Sequence, residues 1–203
     1  MKNMVITIGR QYGSGGREIG EKLAKELGYA YYDTMLLEES SKDSGLSQQI
    51  VEKYDERLAN KWLNLSMTGG MWDVSHLPLP MRAILSQFET IGKIGKSGSA
   101  VIVGRCADYV LQKQENVFSV FVHAELDHRI DRVAKRNQIS REEAAKRIRN
   151  TDKQRASYYN YYTDKEWGAS DSYHISIDSG VFGIDGTADI LQACVEKFAK
   201  ENG

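Results

Sequence analysis

The segment Gly9-Arg10-Gln11-Tyr12-Gly13-Ser14-Gly15-Gly16 holds four glycines in eight residues. It lies between a short β-branched run, Met4 to Ile8, and a stretch in which Ile19, Leu23, Ala24 and Leu27 recur at helical spacing. A loop so placed lets successive backbone N–H groups curl round an anion, and the following helix adds the partial positive charge of its N-terminus. Glycines allow close approach and positive φ, whereas a plain tight turn gains nothing from so many residues that are costly to order. The chemistry indicated is phosphate binding, with Gly9, Gly13, Ser14, Gly15, Gly16, Arg17 and Glu18 as the cofactor-binding positions.

The segment departs from G-x-x-x-x-G-K-[ST]. Gly16 stands where the lysine belongs, with Arg17 and Glu18 behind it, and Gly9 precedes Gly15 by six positions, one out of register. Arg17 offers the missing charge as a planar fork, though from a different helix turn. Glu18 falls near the usual place of a magnesium-binding hydroxyl, and both metal contact and helix capping are open to it. Gly13-Ser14-Gly15 followed by Asp33 also outlines a dinucleotide site. The third glycine of that motif would be Glu18, a bulky acid that impedes helix packing and repels a pyrophosphate.

A second concentration of charge runs from Arg129 to Arg155, where ten Lys or Arg face four acids, a net of +6 in a chain of net −1. So local a basic block indicates an anion handled there, whereas a nucleic-acid binder spreads its basic face over the domain. A solvated, salt-bridged helical pair would give the same count. At about 100° per residue, Arg149, Asp152 and Arg155 share an arc of roughly 120° and can face a site together. A solvated surface position is equally open to Arg149. Tyr158, Tyr159, Tyr161 and Tyr162 follow, suited to stacking on a base or hinging a segment, and also to plain packing. His76, His123, His128 and His174 show no i, i+4 pairing and no neighbouring cysteine, so no dedicated zinc site is expected.

The elements that must position these residues alternate. Gly28 stops the first helix, and Tyr29 to Tyr32 reads as a strand delivering Asp33. Helices are expected from about Met35 to Asp43 and from Ser47 to Leu65, then a loop from Ser66 to Pro80 containing both prolines. A helix over Met81 to Lys96 leads to a strand, Ala100 to Val103, that stops at Gly104-Arg105. Val117 to Val122 is a fourth strand and Glu125 to Arg136 a helix. Ser140 and Glu143 form a capping box for a helix reaching about Ala156. His174 to Ile177 is a fifth strand, and Thr187 to Lys200 the closing helix. Such alternation predicts an α/β fold with a parallel sheet covered on both faces, whose ligand lies beyond the carboxyl ends of the strands. Gly9, Asp33, Gly104 and Arg105 all fall there.

The chain of 203 residues suits one α/β domain. Its 41% apolar and 27% charged content excludes the disordered and membrane classes. No apolar run is long enough for a bilayer or a secretory signal, so a cytoplasmic protein is expected. Cys106 and Cys194 have neither C-x-x-C spacing nor the density of a disulfide scaffold.

Taken in order, Gly13-Ser14-Gly15-Gly16-Arg17-Glu18-Ile19, Tyr31-Tyr32-Asp33, Gly104-Arg105, the arginine helix with Asp152 and Arg155, Tyr158-Tyr159 and Trp167-Gly168 resemble the cytidylate kinase-like family of P-loop proteins. The likeness covers nearly the whole chain. It implies a three-layer P-loop NTPase fold with a five-stranded parallel sheet, helices on both faces and a helical lid. It further implies a single kinase-like domain with an acceptor-binding region at about 34–98 and a lid at about 137–168. By the same resemblance Asp33 contacts the acceptor nucleotide, Arg105 grips its phosphate, and Asp152 with Arg155 reaches acceptor and transferring phosphoryl group. Arg17 and Arg149 join that pair as catalytic candidates.

The implied reaction moves the γ-phosphoryl group of ATP, brought with Mg2+, to a nucleoside monophosphate, CMP or dCMP. Neither nucleic acid nor membrane is an expected partner, and the residues imply no oligomeric state. Such chemistry asks mainly for two anions held in line with their charge neutralised, and for a closing segment that excludes water. The chain departs from the cytidylate kinases in lacking the loop lysine, the magnesium hydroxyl and an arginine within Met35 to Glu38. Those departures keep two other readings open, a non-catalytic nucleotide-binding protein and a kinase for another small acceptor.

Overall fold

The computed structural model describes residues 3–33 and 79–202. The helices expected at 35–43 and 47–65, the body of the loop after them and the larger part of the expected acceptor region lie outside the described residues. Five strands form one sheet: β1 (Val5–Arg10), β2 (Ala30–Tyr32), β3 (Ala100–Val103), β4 (Val117–His123) and β5 (Ile175–Asp178). Their order is β2-β3-β1-β4-β5 and every pairing is parallel. The first strand is therefore central, and the chain leaves it for the glycine loop at the middle of the carboxyl edge.

The helices are α1 (Gly16–Leu27), α2 (Leu79–Ser97), the short α3 (Ala107–Val110), α4 (Leu126–Asn137), α5 (Arg141–Tyr162) and α6 (Ser179–Asn202). β1 shows how the layers form. Ile6 and Ile8 pack with Ile19 and Leu23 of α1 and Leu191 and Val195 of α6. Val5 points the other way, into a cluster with Ile91 and Ile94 of α2, Ile102 and Leu111. β3 is buried at all four positions and β4 at six of seven, as strands covered on both faces must be, which is why they read as apolar runs, broken in β4 only by the buried Ser119.

β1 runs through Gly9 to Arg10, two residues past the expected end at Ile8, so Gly9 belongs to the strand and not to the loop; three helices also differ from expectation. Ser140 caps α5 as expected, accepting from the Glu143 amide at 3.1 Å. The helix then runs past Ala156 to Tyr162, because Tyr159 and Tyr162 enter a buried cluster with Ile84, Phe121 and Tyr173. α6 begins at Ser179 rather than Thr187, with a break at Gly183 (φ 68°, ψ −176°), and it is that break which hid the first turn from a periodicity reading. α3 carried no sequence signal. No helix among the described residues is long and apolar enough to cross a membrane.

α4 and α5 pack on each other through Ile130, Val133, Ala144 and Ile148, with Tyr12 of the glycine loop against the same cluster. The far end of α5 belongs instead to the core beneath the sheet. One helix thus joins the basic pair to the main body, and its middle passes the loop.

Candidate active site

The glycine loop is fixed from within. Gln11 donates its amide to Val122 O at 3.0 Å, and its side-chain oxygen accepts from the Ala124 amide at 3.2 Å, which fastens the loop to the end of β4. Ser14 is fully buried, with its amide and hydroxyl both donated to Gln11 O, at 3.3 and 2.9 Å. Its carbonyl accepts from the Ser179 hydroxyl. The donors of Ser14 are thereby engaged inside the loop and do not face a ligand.

Around Ser14, Gly13 and Gly15 adopt φ of 83° and 82°. Left-handed residues flanking a normal one turn successive amides toward a common point, and a side chain at either glycine would be strained. Gly15 caps α1 with no side-chain hydrogen bond. Among the described residues the amides of Gly13, Gly15, Gly16, Arg17 and Glu18 have no backbone acceptor. Two loop amides and the three that open α1 are thus without a backbone acceptor, the kind of donor set a polyphosphate uses. The Glu18 side chain is exposed in the first turn of α1.

The basic helices hold this loop directly. Asp152 of α5 accepts the Tyr12 amide on one carboxylate oxygen at 2.7 Å and Arg129 of α4 on the other at 2.6 Å. Arg129 also donates to Ala124 O and Tyr12 O, at 2.9 and 3.4 Å. Arg155 donates to Arg10 O at 3.1 Å. The Tyr12 ring lies beneath the guanidiniums of Arg136 and Arg155, at 5.5 and 5.6 Å. Burial raises the pKa of its phenol, but a hydrogen bond with Asn137, the positive charge of Arg136 and hydrogen bonds with Arg136 and Arg147 outweigh this and hold it below the ordinary value. Arg149 is exposed and has no ion pair among the described residues. Of the three residues expected on one arc, Asp152 and Arg155 reach the loop and Arg149 does not.

On the other side of β1, beyond β3, lies the end of the edge strand β2. Asp33, after β2, is 8% exposed and accepts from Arg17 at 2.8 Å, with the Arg10 guanidinium at 3.8 Å. Arg17 is thus turned sideways toward β2, with more than half of its side chain in solvent. Beyond the ends of β1 and β3 a cavity of about 160 Å³ is walled by Arg10, Arg105 and Arg155, with Asp108, Tyr158 and Trp167 completing much of its lining.

The chain enters this cavity through three consecutive left-handed residues, Gly104 (φ 85°), Arg105 (61°) and Cys106 (54°). Two of these have side chains, and left-handed backbone costs such residues roughly 1–2 kcal/mol each. That strain is stored where Arg105 is brought to the cavity wall. Desolvation lowers the Arg105 pKa to about 10, with Tyr158 opposing and Arg10 adding to the shift, so the guanidinium stays protonated at neutral pH. Burial pushes the Asp108 carboxyl up, although the Tyr159 hydroxyl donates to it at 2.6 Å. Burial likewise raises the Cys106 thiol, which makes it a poor nucleophile.

Sequence reasoning passed over Arg10, Tyr12, Arg129 and Asp108. Arg10 had a signal, since it is the one cation inside the glycine segment. Arg129 falls within the basic block, but nothing in its spacing tells a residue that holds Asp152 from one in solvent. Asp108 lies on α3, which left no trace in periodicity.

The profile of the cytidylate kinase-like family matches residues 5–181. A cytidylate kinase of Thermococcus kodakarensis is 27% identical over 199 residues, covering 95% of this chain and 88% of that protein. An uncharacterized protein of Eubacterium ventriosum, solved by crystallography, has 27% identity and a TM-score of 0.74, covering 95% of this chain and 98% of the other. A shikimate kinase of Bacteroides thetaiotaomicron, at 13% identity and a TM-score of 0.56, covers 95% and 98% and shows the shared fold. The β2-β3-β1-β4-β5 sheet, the glycine loop at the end of its central strand and a match spanning most of the sequence make this chain a member of the cytidylate kinase-like family, with the three-layer P-loop kinase fold.

Proposed function

We propose that the protein is a nucleotide kinase that transfers the γ-phosphoryl group of ATP to a nucleoside monophosphate, CMP or dCMP. One observation carries the reading: a loop presenting five open amides and a cavity walled by three arginines lie at adjacent strand ends, β1 and β3. Two anionic ligands can therefore meet side by side. The loop amides hold the donor's phosphates, and Arg105 and Arg155 grip the acceptor's phosphate from the cavity. Asp33, paired with Arg10 and Arg17 at the end of β2, is positioned to meet the acceptor's nucleoside.

In the reaction an acceptor phosphate oxygen bonds to the γ-phosphorus as the bond to the β,γ-bridging oxygen breaks, and ADP leaves with that electron pair. The protein's part is to align the two anions and neutralise them. Mg2+ brought with the triphosphate would neutralise part of the charge on its phosphates. Glu18, an exposed carboxylate in the first turn of α1, would be the residue to hold such an ion beside the loop. α5, within the lid expected at about 137–168, already reaches the glycine segment through Asp152 and Arg155, and a closed lid there would shield the loop from water.

The test is ADP release by purified protein with ATP and Mg2+ against a panel of nucleoside monophosphates, with CMP and dCMP expected to give the highest kcat/KM. The missing lysine, and the engagement of Arg17 by Asp33, favour a second reading as a nucleotide-binding protein without turnover. ATP binding with no transfer to any monophosphate, nor to small hydroxyl acceptors added to the panel, would establish that reading in place of the first.

A further inference from the structure

We infer that Arg10 supplies the cation missing from the lysine position of the glycine loop, contacting the transferring phosphoryl group from the acceptor side. The assignment rests on the kinase reading above. Phosphoryl transfer needs a positive charge between donor and acceptor, and Gly16 cannot give one.

The neighbouring arginines divide by position. Arg17 is tied to Asp33 and largely in solvent. Arg132 crosses the loop on its other flank, with its guanidinium near Gly13 O and packed against Gly15 beside Ile184. Arg105 and Arg155 approach from β3 and α5, on the acceptor side.

Arg10 alone of these belongs to the strand that becomes the loop and also walls the cavity. Its side chain is 18% exposed and lies across Gly104, where any Cβ would collide with the guanidinium. Gly104 is thus the residue that lets Arg10 pass from β1 toward the β3 side. Asp33, at 3.8 Å from one terminal nitrogen, sets the direction of the fork from the end of β2. A planar guanidinium can bridge oxygens of two phosphoryl groups, which suits a residue standing between two phosphate sites. The Arg10 carbonyl accepts from Arg155, so the same residue sets the register between α5 and the loop.

The experiment is titration of the intact protein with fluorescent ATP and ADP analogues in the presence of Mg2+, comparing the unaltered chain with Arg10→Ala and Arg10→Lys. A cation directed at the γ-phosphate makes the unaltered protein prefer the triphosphate. Arg10→Ala should bring the ATP-to-ADP affinity ratio to about one while ADP binding, held by the loop amides, stays within about threefold. Arg10→Lys should retain an intermediate preference, and kcat in Arg10→Ala should fall roughly a hundredfold. A purely structural role for Arg10 would weaken both nucleotides together and leave the ratio standing, which overturns the assignment. If Arg10→Ala does not fold, as judged by its thermal melt, Arg10→Gln keeps a polar, hydrogen-bonding side chain without the charge and carries the same expectation. An unaltered protein that binds neither nucleotide defeats the kinase reading itself, whereas binding with an unmoved ratio defeats only the role given to Arg10.

Discussion

Arg105 concentrates the conflict between stability and function in a single residue. It takes a left-handed backbone, φ 61°, and brings a charge into a cavity where desolvation lowers its pKa to about 10. Both features cost the fold free energy, and both serve to present a guanidinium beyond the end of β3. Comparing Arg105→Gly with Arg105→Ala separates them. Each variant loses the guanidinium, so each should weaken the acceptor far more than ATP. Left-handed backbone costs alanine roughly 1–2 kcal/mol. Glycine's greater freedom in the unfolded chain takes back about 0.5–1 kcal/mol. The glycine variant should therefore be the more stable by about 1 kcal/mol in urea denaturation. Equal midpoints would mean that the turn relaxes. The Gly-Arg pair was legible in the sequence as the end of a strand, but the left-handed run through Cys106 was not, because neither arginine nor cysteine advertises a positive φ.

Among the elements, α5 shows how a helix of ordinary composition comes to serve a site. Its first half packs on α4, its last turn enters the core, and between them Asp152 joins the Tyr12 amide to Arg129. Arg129 is 8% exposed, so taking away its carboxylate partner leaves a buried charge poorly compensated. Asp152→Ala should cost about 2–3 kcal/mol, somewhat below the range for fully buried pairs because Asp152 itself stays partly accessible. Asp152→Asn should cost less, since an amide oxygen still accepts from Tyr12. Chemical denaturation gives the ranking, and amide exchange at Tyr12 should quicken in the alanine variant before global unfolding. An unchanged Tyr12 exchange rate would show that the loop keeps its shape without α5. The capping box and the helical spacing of Asp152 and Arg155 could be read from the chain. The partner of Asp152 could not, since Tyr12 is 140 residues away.

For the molecule as a whole, the buried carboxyl of Asp108 links pH to stability with an unusual sign. Its folded pKa lies above the model-peptide value of 3.8, chiefly through burial. Below that value the group is protonated in both states and contributes nothing. As pH rises, the unfolded chain ionises first, so Asp108 destabilises the fold increasingly until its folded pKa is passed. Asp108→Asn, which still offers an oxygen to the Tyr159 hydroxyl, should therefore melt higher than the unaltered protein near neutral pH. That advantage should vanish as pH falls toward 3.8. A melting difference that does not change with pH would place the carboxyl in water.

At this same scale the division between sequence and structure is plain. Local pattern alone determined the alternation of strand and helix, the parallel sheet and the phosphate loop, because turn glycines, β-branched runs and helical periodicity are properties of neighbouring residues. Tertiary structure decided which arginine faces which anion. Arg17 turns to Asp33, Arg129 is buried under Asp152, and Arg10 crosses Gly104, although all three carry the same side chain. A guanidinium's role depends on what desolvates it and which carboxylate stands within reach, and those neighbours come together only when distant strands and helices pack.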